Sequence, residues 1–305
     1  MSASREGPRL PAGAIDVPGR FLEAVGPEGY GEATVVLLGL PLDTTTTFRP
    51  GTRFGPTAIR EASIGLETYS PVLDREIAPG EICDLGDVAV PFGNAAAALG
   101  AIRAVAERVW QDHKFLVGLG GEHLATLPLV EAAAAAVPGL EVLHFDAHTD
   151  LRADYMGERL SHATVMRRVA ERVGAERLWQ FGIRSGTREE FRLARHLHGD
   201  LSALEACLAA LRDRPLYLSV DIDVADPAYA PGTGAPEPGG PTAAEVIDAV
   251  RRVAGQRLVA MDVMEVAPAL DASGRTASLA AKLVREAILA RHDGGGPAGG
   301  DGGVG

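Results

Sequence analysis

Cysteine is scarce in this chain: 305 residues contain two, Cys83 and Cys207, with no C-x-x-C or zinc-knuckle spacing. Two cysteines do not make a disulfide framework, so a reducing cytosol is the expected setting. Positive charge is also short. Lys and Arg total 29 against 41 Asp and Glu, a formal charge of -12. That balance argues against nucleic-acid binding, which calls for a basic face, and suits a cationic ligand. Long apolar runs are missing, since none reaches the ~20 residues needed to span a bilayer. The opening MSASREGPRLPAGAIDVPGR lacks the apolar centre of a signal peptide. A cytoplasmic protein with no membrane partner is expected. The turn-rich Arg49-Pro-Gly-Thr-Arg-Phe-Gly-Pro56 matches neither a P-loop nor a Rossmann fingerprint, which leaves nucleotide binding without support.

Hydrophobic residues make up 46% of the chain, ample for a buried core. Residues 1–30 are rich in Gly and Pro and are expected to lie over the surface. The tail 293–305 is almost all Gly with Pro, Ala and Asp, a composition that predicts disorder. Between them, in 31–292, strand-like and helical segments alternate. The expected strands are Thr34–Leu40, Phe115–Leu119, Glu141–Asp146, Leu178–Ile183, Leu216–Asp223 and Leu258–Val263. Most are short apolar runs, as befits parallel strands covered on both faces. The expected helices are Ala95–Gln111, Leu124–Ala136, His162–Val173, Ala243–Ala254 and Ser278–Arg291. Thr242, with Glu245 three positions on, forms a capping-box pattern at one of these starts. The alternation implies an α/β fold, a three-layer α/β/α sandwich with a mainly parallel sheet, in one domain.

The stretch Asp146-Ala-His-Thr-Asp150 carries two carboxylates and an imidazole at alternate positions, directly after the apolar run Val142–Phe145. In an extended strand such positions share one face. Asp221 and Asp223 follow Leu216–Val220, and His123 closes the turn Gly120-Gly-Glu-His123 after Phe115–Leu119. Any one of these could be an ordinary solvated strand end. Together they place six ionisable groups at three strand ends, where ligands of open α/β sheets bind, and an apolar setting tolerates such repulsion only with a cation. Carboxylate-rich ligands without thiolate favour a hard or borderline ion such as Mn²⁺ over structural zinc. Two such ions ~3.5–4 Å apart would activate water for hydrolysis, with Asp146 and Asp221 as the natural bridges.

Other groups are less determined by sequence. Glu265 sits at the end of the Leu258–Val263 run, as either a site carboxylate or a charge at a loop entrance. His162 begins a helix after a polar loop, where it is either aimed at substrate or a capping-region histidine. His144 shares the parity of Asp146 but lies further back, so a hydrogen-bonded core histidine is expected. His113, His196, His198 and His292 are expected at the surface. Glu237, in a turn-rich loop, is expected to have a structural role.

The motifs GGEH, DAHTD, SHAT, SVDIDVADP, APGTGAPEPGG and MDVMEVAP occur in this order. Together they resemble the ureohydrolase family, which contains arginase, agmatinase, guanidinobutyrase and formimidoylglutamase. The resemblance covers residues 30–292, and FRPGTRFGPTAIREASIGLETYSP is similar to the matching stretch of bacterial agmatinases. It implies an arginase-like sandwich assembled as a homotrimer or homohexamer, with two Mn²⁺ per subunit. By the resemblance, His123, Asp146, Asp150 and Asp221 would hold one ion, and Asp146, His148, Asp221 and Asp223 the other. Glu265 would receive the guanidinium and His162 would assist proton transfer. The implied reaction is hydrolysis of agmatine, a small cationic guanidine, to putrescine and urea, a step of polyamine biosynthesis. Arginases commonly hold the α-carboxylate and α-amine with Asn and Ser just beyond DAHTD. Leu151–Leu160 contains neither and offers Asp154, Tyr155 and Glu158, which suits an ammonium-ended substrate. N1-aminopropylagmatine, guanidinobutyrate and arginine stand as alternatives, as do a single-zinc amide hydrolase and a non-catalytic metal-binding regulator. Ala163 and Val224-Ala225 depart from the common pattern without removing a ligand.

Overall fold

The computed structural model describes residues 19–291 and the short strand Ile15–Asp16. His292, the tail 293–305 and most of the first 18 residues lie outside the described residues. The strands are β1 (Ile15–Asp16), β2 (Val35–Leu40), β3 and β4 (Tyr69–Ser70 and Arg75–Glu76), β5 (Ile82–Val88), β6 (Phe115–Gly120), β7 (Glu141–Phe145), β8 (Leu178–Phe181), β9 (His196–His198), β10 (Leu216–Asp221) and β11 (Leu258–Met264). The helices are α1 (Gly55–Ser63), α2 (Ala95–Gln111), α3 (Thr126–Ala136), α4 (Val165–Val173), α5 (Arg188–Leu193), α6 (Leu204–Ala210), α7 (Ala243–Ala254) and α8 (Arg275–Ala290).

One nine-stranded sheet runs in the order β1-β5-β2-β6-β11-β10-β7-β8-β9, and β3 and β4 pair as a separate hairpin. Only β1 is antiparallel to its neighbour in the large sheet; the other eight strands are parallel. β2, β6, β7, β10 and β11 are buried at every position, because helices cover both faces. Ile59 of α1, Leu208 of α6, Val250 of α7 and Leu283 of α8 pack into the core on one side. Ile102 of α2, Leu129 of α3 and Val169 of α4 pack on the other. This is the expected three-layer sandwich. The capping box at α7 forms as expected, with Thr242 N donating to Glu245 Oε2 at 2.7 Å and Glu245 N to Thr242 Oγ1 at 3.3 Å.

Several elements differ from expectation. β5 carries Asp84, Gly86 and Asp87 inside its run, which hides it from an apolar pattern. Asp84 is nonetheless buried, because Arg60 of α1 bonds both its oxygens at 2.7 and 2.9 Å. α1 itself begins at the Gly-Pro of the turn-rich stretch, where proline suits the first helical turn. The described part of the N-terminal surface segment is packed rather than draped: Phe21, Ala24 and Tyr30 are buried, and Phe21 N donates to Asp84 Oδ2 at 2.9 Å. His113 is exposed as expected, but His196 and His198 are half-buried, stacked on Trp179 and Phe181 at ring distances of 3.6 and 4.8 Å. Among the described residues no helix is long and apolar enough to cross a membrane.

The strand order brings β6, β11, β10 and β7 side by side at the centre of the sheet. Their carboxyl ends lead into His123, Glu265, Asp221 with Asp223, and Asp146 with His148 and Asp150 respectively. Parallel pairing therefore puts all the motifs on one edge.

Candidate metal centre

The turn after β6 holds His123 in place by close backbone approach. A Cβ on Gly121 would lie 2.3–2.6 Å from backbone atoms of Leu40 and Leu42, so only glycine lets the turn sit against β2. Nδ1 of His123 then faces three carboxylates: Asp146 Oδ2 at 3.1 Å, Asp221 Oδ2 at 3.2 Å and Asp150 Oδ2 at 3.4 Å. Beside it, His148 Nδ1 lies 2.9 Å from Asp223 Oδ2 and 3.5 Å from Asp146 Oδ1. Asp146 thus turns one oxygen to each imidazole.

Alternating strand parity does not produce this convergence, because β7 ends at Phe145. Asp146 to Asp150 form a loop: Asp146 Oδ1 accepts from His148 N at 2.5 Å, and Asp150 adopts φ +52°. Glu265 also has positive φ, at +64°. Left-handed backbone at a non-glycine residue costs about 1–3 kcal/mol, and at both positions it serves to aim a carboxylate inward. Asp223 sits in a single 3₁₀ turn, and its own amide donates to the capping Asp221 Oδ1 at 2.9 Å.

The electrostatics call for a cation. Burial pushes the Asp150 carboxyl up to about 7, helped by the charge of Asp146, and raises Asp221 well above and Asp223 above the ordinary range. Burial would depress the two imidazoles. Instead, the carboxylates around them raise His123 well above its ordinary value and His148 to about 12. Asp146 is held low despite burial by the three imidazoles of His144, His123 and His148. Nδ1 of His123 is buried yet makes no hydrogen bond to any of the oxygens around it. An unpartnered ring nitrogen among surplus carboxylate oxygens fits a divalent ion. Donor atoms of His123, Asp146 and Asp150 fall within 4.8 Å of one another, as do those of Asp146, His148 and Asp223, so two ions could share Asp146.

His144 also lies within reach of the first group, but its hydrogen bonds assign it another part. Gln180 Nε2 donates to Thr149 O at 2.7 Å and lies 3.0 Å from His144 Nδ1. The amide must therefore donate to Nδ1, and the ring proton sits on Nε2, 2.8 Å from Asp146 Oδ2. His144 is a donor that holds Asp146, as expected for a buried, hydrogen-bonded histidine.

A cavity of about 290 Å³ opens beside this cluster, lined by His148, Asp150, Asp221, Asp223, His162 and Glu265 among others. Glu265 Oε1 accepts from His123 N at 2.7 Å, and burial pushes its carboxyl up to about 8. His162 N donates to Thr45 Oγ1 at 3.0 Å, and its Nδ1 faces the hydroxyls of Thr45 and Ser161 at 3.4 Å. Burial lowers that imidazole to about 4.

The outer wall departs from the sequence reading. Tyr155 lines the cavity, but Asp154 and Glu158 are exposed and do not. Two groups that sequence reasoning missed shape the wall. Glu190 is buried and accepts from Thr149 Oγ1 at 2.8 Å, Leu151 N at 3.1 Å and Thr187 N at 2.7 Å, which pins the loop after β7. Glu122 Oε2 accepts from Thr45 N at 2.8 Å, which ties the opposite wall to the His123 turn. The capping box Thr187-x-x-Glu190 was legible as a signal; the link from Glu122 to Thr45 was not, since it spans 77 residues. The Glu237 backbone oxygen accepts from Arg184 Nε at 3.1 Å and Nη2 at 2.7 Å, which ties its loop to the end of β8 without involving the carboxylate.

The arginase family model matches residues 33–290. The chain is 45% identical over 279 residues to the agmatinase of Bacillus subtilis, covering 89% of this chain and 96% of that protein. It is 33% identical to the guanidinobutyrase of Pseudomonas aeruginosa, over 90% of this chain and 92% of that one. The solved agmatine ureohydrolase of Thermoplasma volcanium superposes with a TM-score of 0.82 at 33% identity, over 91% of this chain and 95% of that chain. Site geometry, sheet topology and sequence agree, and the chain belongs to the arginase family.

Proposed function

We propose that this chain is a ureohydrolase that uses two Mn²⁺ ions to hydrolyse agmatine to putrescine and urea. The observation that carries the reading is the buried, unpartnered Nδ1 of His123 among three carboxylate oxygens, beside a cavity that holds Glu265. The 45% identity to an agmatinase over most of both chains supports the substrate. In this reading His123, Asp146, Asp150 and Asp221 hold one ion, and Asp146, His148, Asp221 and Asp223 the other. The ions would supply Lewis-acid activation of water and of the substrate.

The residues divide the remaining work. Glu265 takes the planar guanidinium through paired hydrogen bonds, and the arriving cation draws its raised carboxyl to the ionised form, which makes those bonds strong. The His123 amide, bonded to Oε1, fixes that carboxylate before substrate arrives. His162, kept neutral by burial, accepts a proton at the cavity wall and releases it readily toward the departing amine. Asp150, Asp221 and Asp223 are drawn to their ionised forms by the cations. Residues 31–292 would form this catalytic unit, working in the cytoplasm as a homotrimer or homohexamer.

A second reading rests on Arg152, which lines the cavity with its guanidinium 4.7 Å over the Tyr155 ring. A substrate ending in a carboxylate, such as guanidinobutyrate, would pair with it. The test is urea release by Mn²⁺-loaded protein with agmatine, N1-aminopropylagmatine, guanidinobutyrate and arginine in parallel. Preference for agmatine is expected. Preference for guanidinobutyrate would transfer the assignment to the Arg152 reading, and no urea from any of the four would overturn the ureohydrolase assignment for these substrates.

A further inference from the structure

Two residues before Asp146 and Asp221 along the chain, a line of polar side chains crosses the sheet. Strand register aligns Gln180 of β8 with His144 of β7, His144 with Ser219 of β10, Ser219 with Asp262 of β11, and Asp262 with Gly118 of β6. All of these polar side chains are buried. Apolar residues would fill the same positions more cheaply, since buried polar groups must be hydrogen-bonded to be tolerated. Gly118 makes the room: a Cβ there would lie 3.0 Å from the Asp262 Cβ and 2.8 Å from Leu129 Cδ1.

The hydrogen bonds in this row have a direction. Asp262 accepts from Tyr217 Oη at 2.6 Å and from Ser219 Oγ at 2.7 Å. A serine hydroxyl has one hydrogen, and here Asp262 takes it. Ser219 Oγ therefore only accepts from its other neighbours, His123 Nε2 at 2.9 Å and the Thr126 hydroxyl at 3.3 Å. The proton of the neutral His123 ring must then sit on Nε2. Nδ1 is left as a bare lone pair among the carboxylates, which is the form that binds a metal ion.

We propose that Ser219 and Asp262 are positioning residues that lock His123 in its metal-binding tautomer and so set the affinity of one of the two ion sites. The proposal rests on the metal-centre reading above. Partners of this kind typically change metal affinity 10–100-fold, that is about one to two decades.

Metal-free protein would be titrated with Mn²⁺ for wild type, Ser219→Ala and Asp262→Asn, with electron paramagnetic resonance reading free ion and exchange coupling between bound ions. Ser219→Ala removes the acceptor. Asp262→Asn keeps size but can donate to Ser219 Oγ, which frees that hydroxyl to donate to Nε2 and drives the ring proton to Nδ1. Both variants are expected to keep one ion near wild-type affinity, to bind the other about 10–100-fold more weakly, and to lose the coupled signal at limiting Mn²⁺. A merely structural role would lower melting temperature and weaken both ions alike. Equal weakening, or two ions bound with wild-type affinity in the variants, would overturn the relay while leaving the metal centre intact. Wild-type protein that binds no coupled pair would overturn the metal-centre reading and the relay with it. If Ser219→Ala does not fold, the nearly isosteric Asp262→Asn decides.

Discussion

The candidate metal centre and the ion clusters formed by α1 with β5 and by α7 with α8 are both buried, yet their charges are arranged in different ways. Arg60 of α1 reaches Asp84 with Nε and Nη2, and Asp87 with Nη1 at 2.5 Å, and Phe21 N and Gly86 N complete the bonding of Asp84. Glu286 of α8 is likewise enclosed by Arg251 at 2.5 Å, Ser70 at 2.9 Å, Lys282 at 3.2 Å and the adjacent Arg285. Those carboxylates have cationic partners on the protein itself. At the candidate metal centre four carboxylates share three imidazoles, and three of the acids, Asp150, Asp221 and Asp223, drift upward while a ring nitrogen stays unpartnered. Carboxylates held by cationic side chains mark a structural cluster, and carboxylates raised by burial and mutual repulsion mark a candidate ligand site.

The largest expected effect breaks the unbalanced side. Asp146→Ala removes the carboxylate shared by the imidazoles of His123, His144 and His148, and urea release should fall to background with loss of bound Mn²⁺. Chelation of wild type should have the same effect and be reversed by added Mn²⁺, which the variant will not share. Next comes Arg60→Met, which strands the buried carboxylate of Asp84. Breaking such a pair costs about 3–5 kcal/mol, measurable by denaturant unfolding, while the folded fraction should keep two ions.

Two smaller effects sharpen the comparison through pH. Glu286 has its carboxyl lowered to about 2: burial works against this and the bonds from Arg251, Arg285, Ser70 and Lys282 prevail. A depressed folded value means its stabilisation is present above the unfolded value of 4.5 and is lost as pH falls through about 2. Glu286→Gln should therefore melt below wild type at pH 7, with the gap closing in acid. Asp150 behaves in reverse. With its folded value pushed to about 7, metal-free protein is penalised above that pH and relieved as pH falls from about 7 toward 3.8. Asp150→Asn should raise the melting temperature of metal-free protein at pH 8 and lose one ion from the loaded form. A rise at pH 8 for Glu286→Gln, or a fall for Asp150→Asn, would remove the distinction between the two kinds of cluster.

Much of this was legible in one dimension. The strand ends after β6, β7 and β10 announced themselves as apolar runs followed by His and Asp, and all six expected ligands converge where parallel strands end. α2 and α7 matched their expected bounds because their apolar spacing and caps are local. β5 and α1 were missed because Asp84 is tolerable in a strand only when Arg60, 24 residues earlier, is folded against it. Asp154 and Glu158 looked suited to an ammonium tail, but the loop from Leu151 to Leu160 turns them to solvent and presents Tyr155 instead.

By itself, then, the sequence determined the layered α/β architecture and the family and singled out the six candidate ligands, since each depends on periodicity or on residues close together in the chain. The tertiary structure alone decided which hydrogen-bond partners each buried histidine meets. His123 and His144 are both buried beside Asp146; Ser219 leaves one a bare nitrogen, and Gln180 puts a proton on the other where it meets that carboxylate. Those partners come from strands 36 to 96 residues away. Only register across the sheet brings them to the same row, and register is a property of paired strands that no single segment carries.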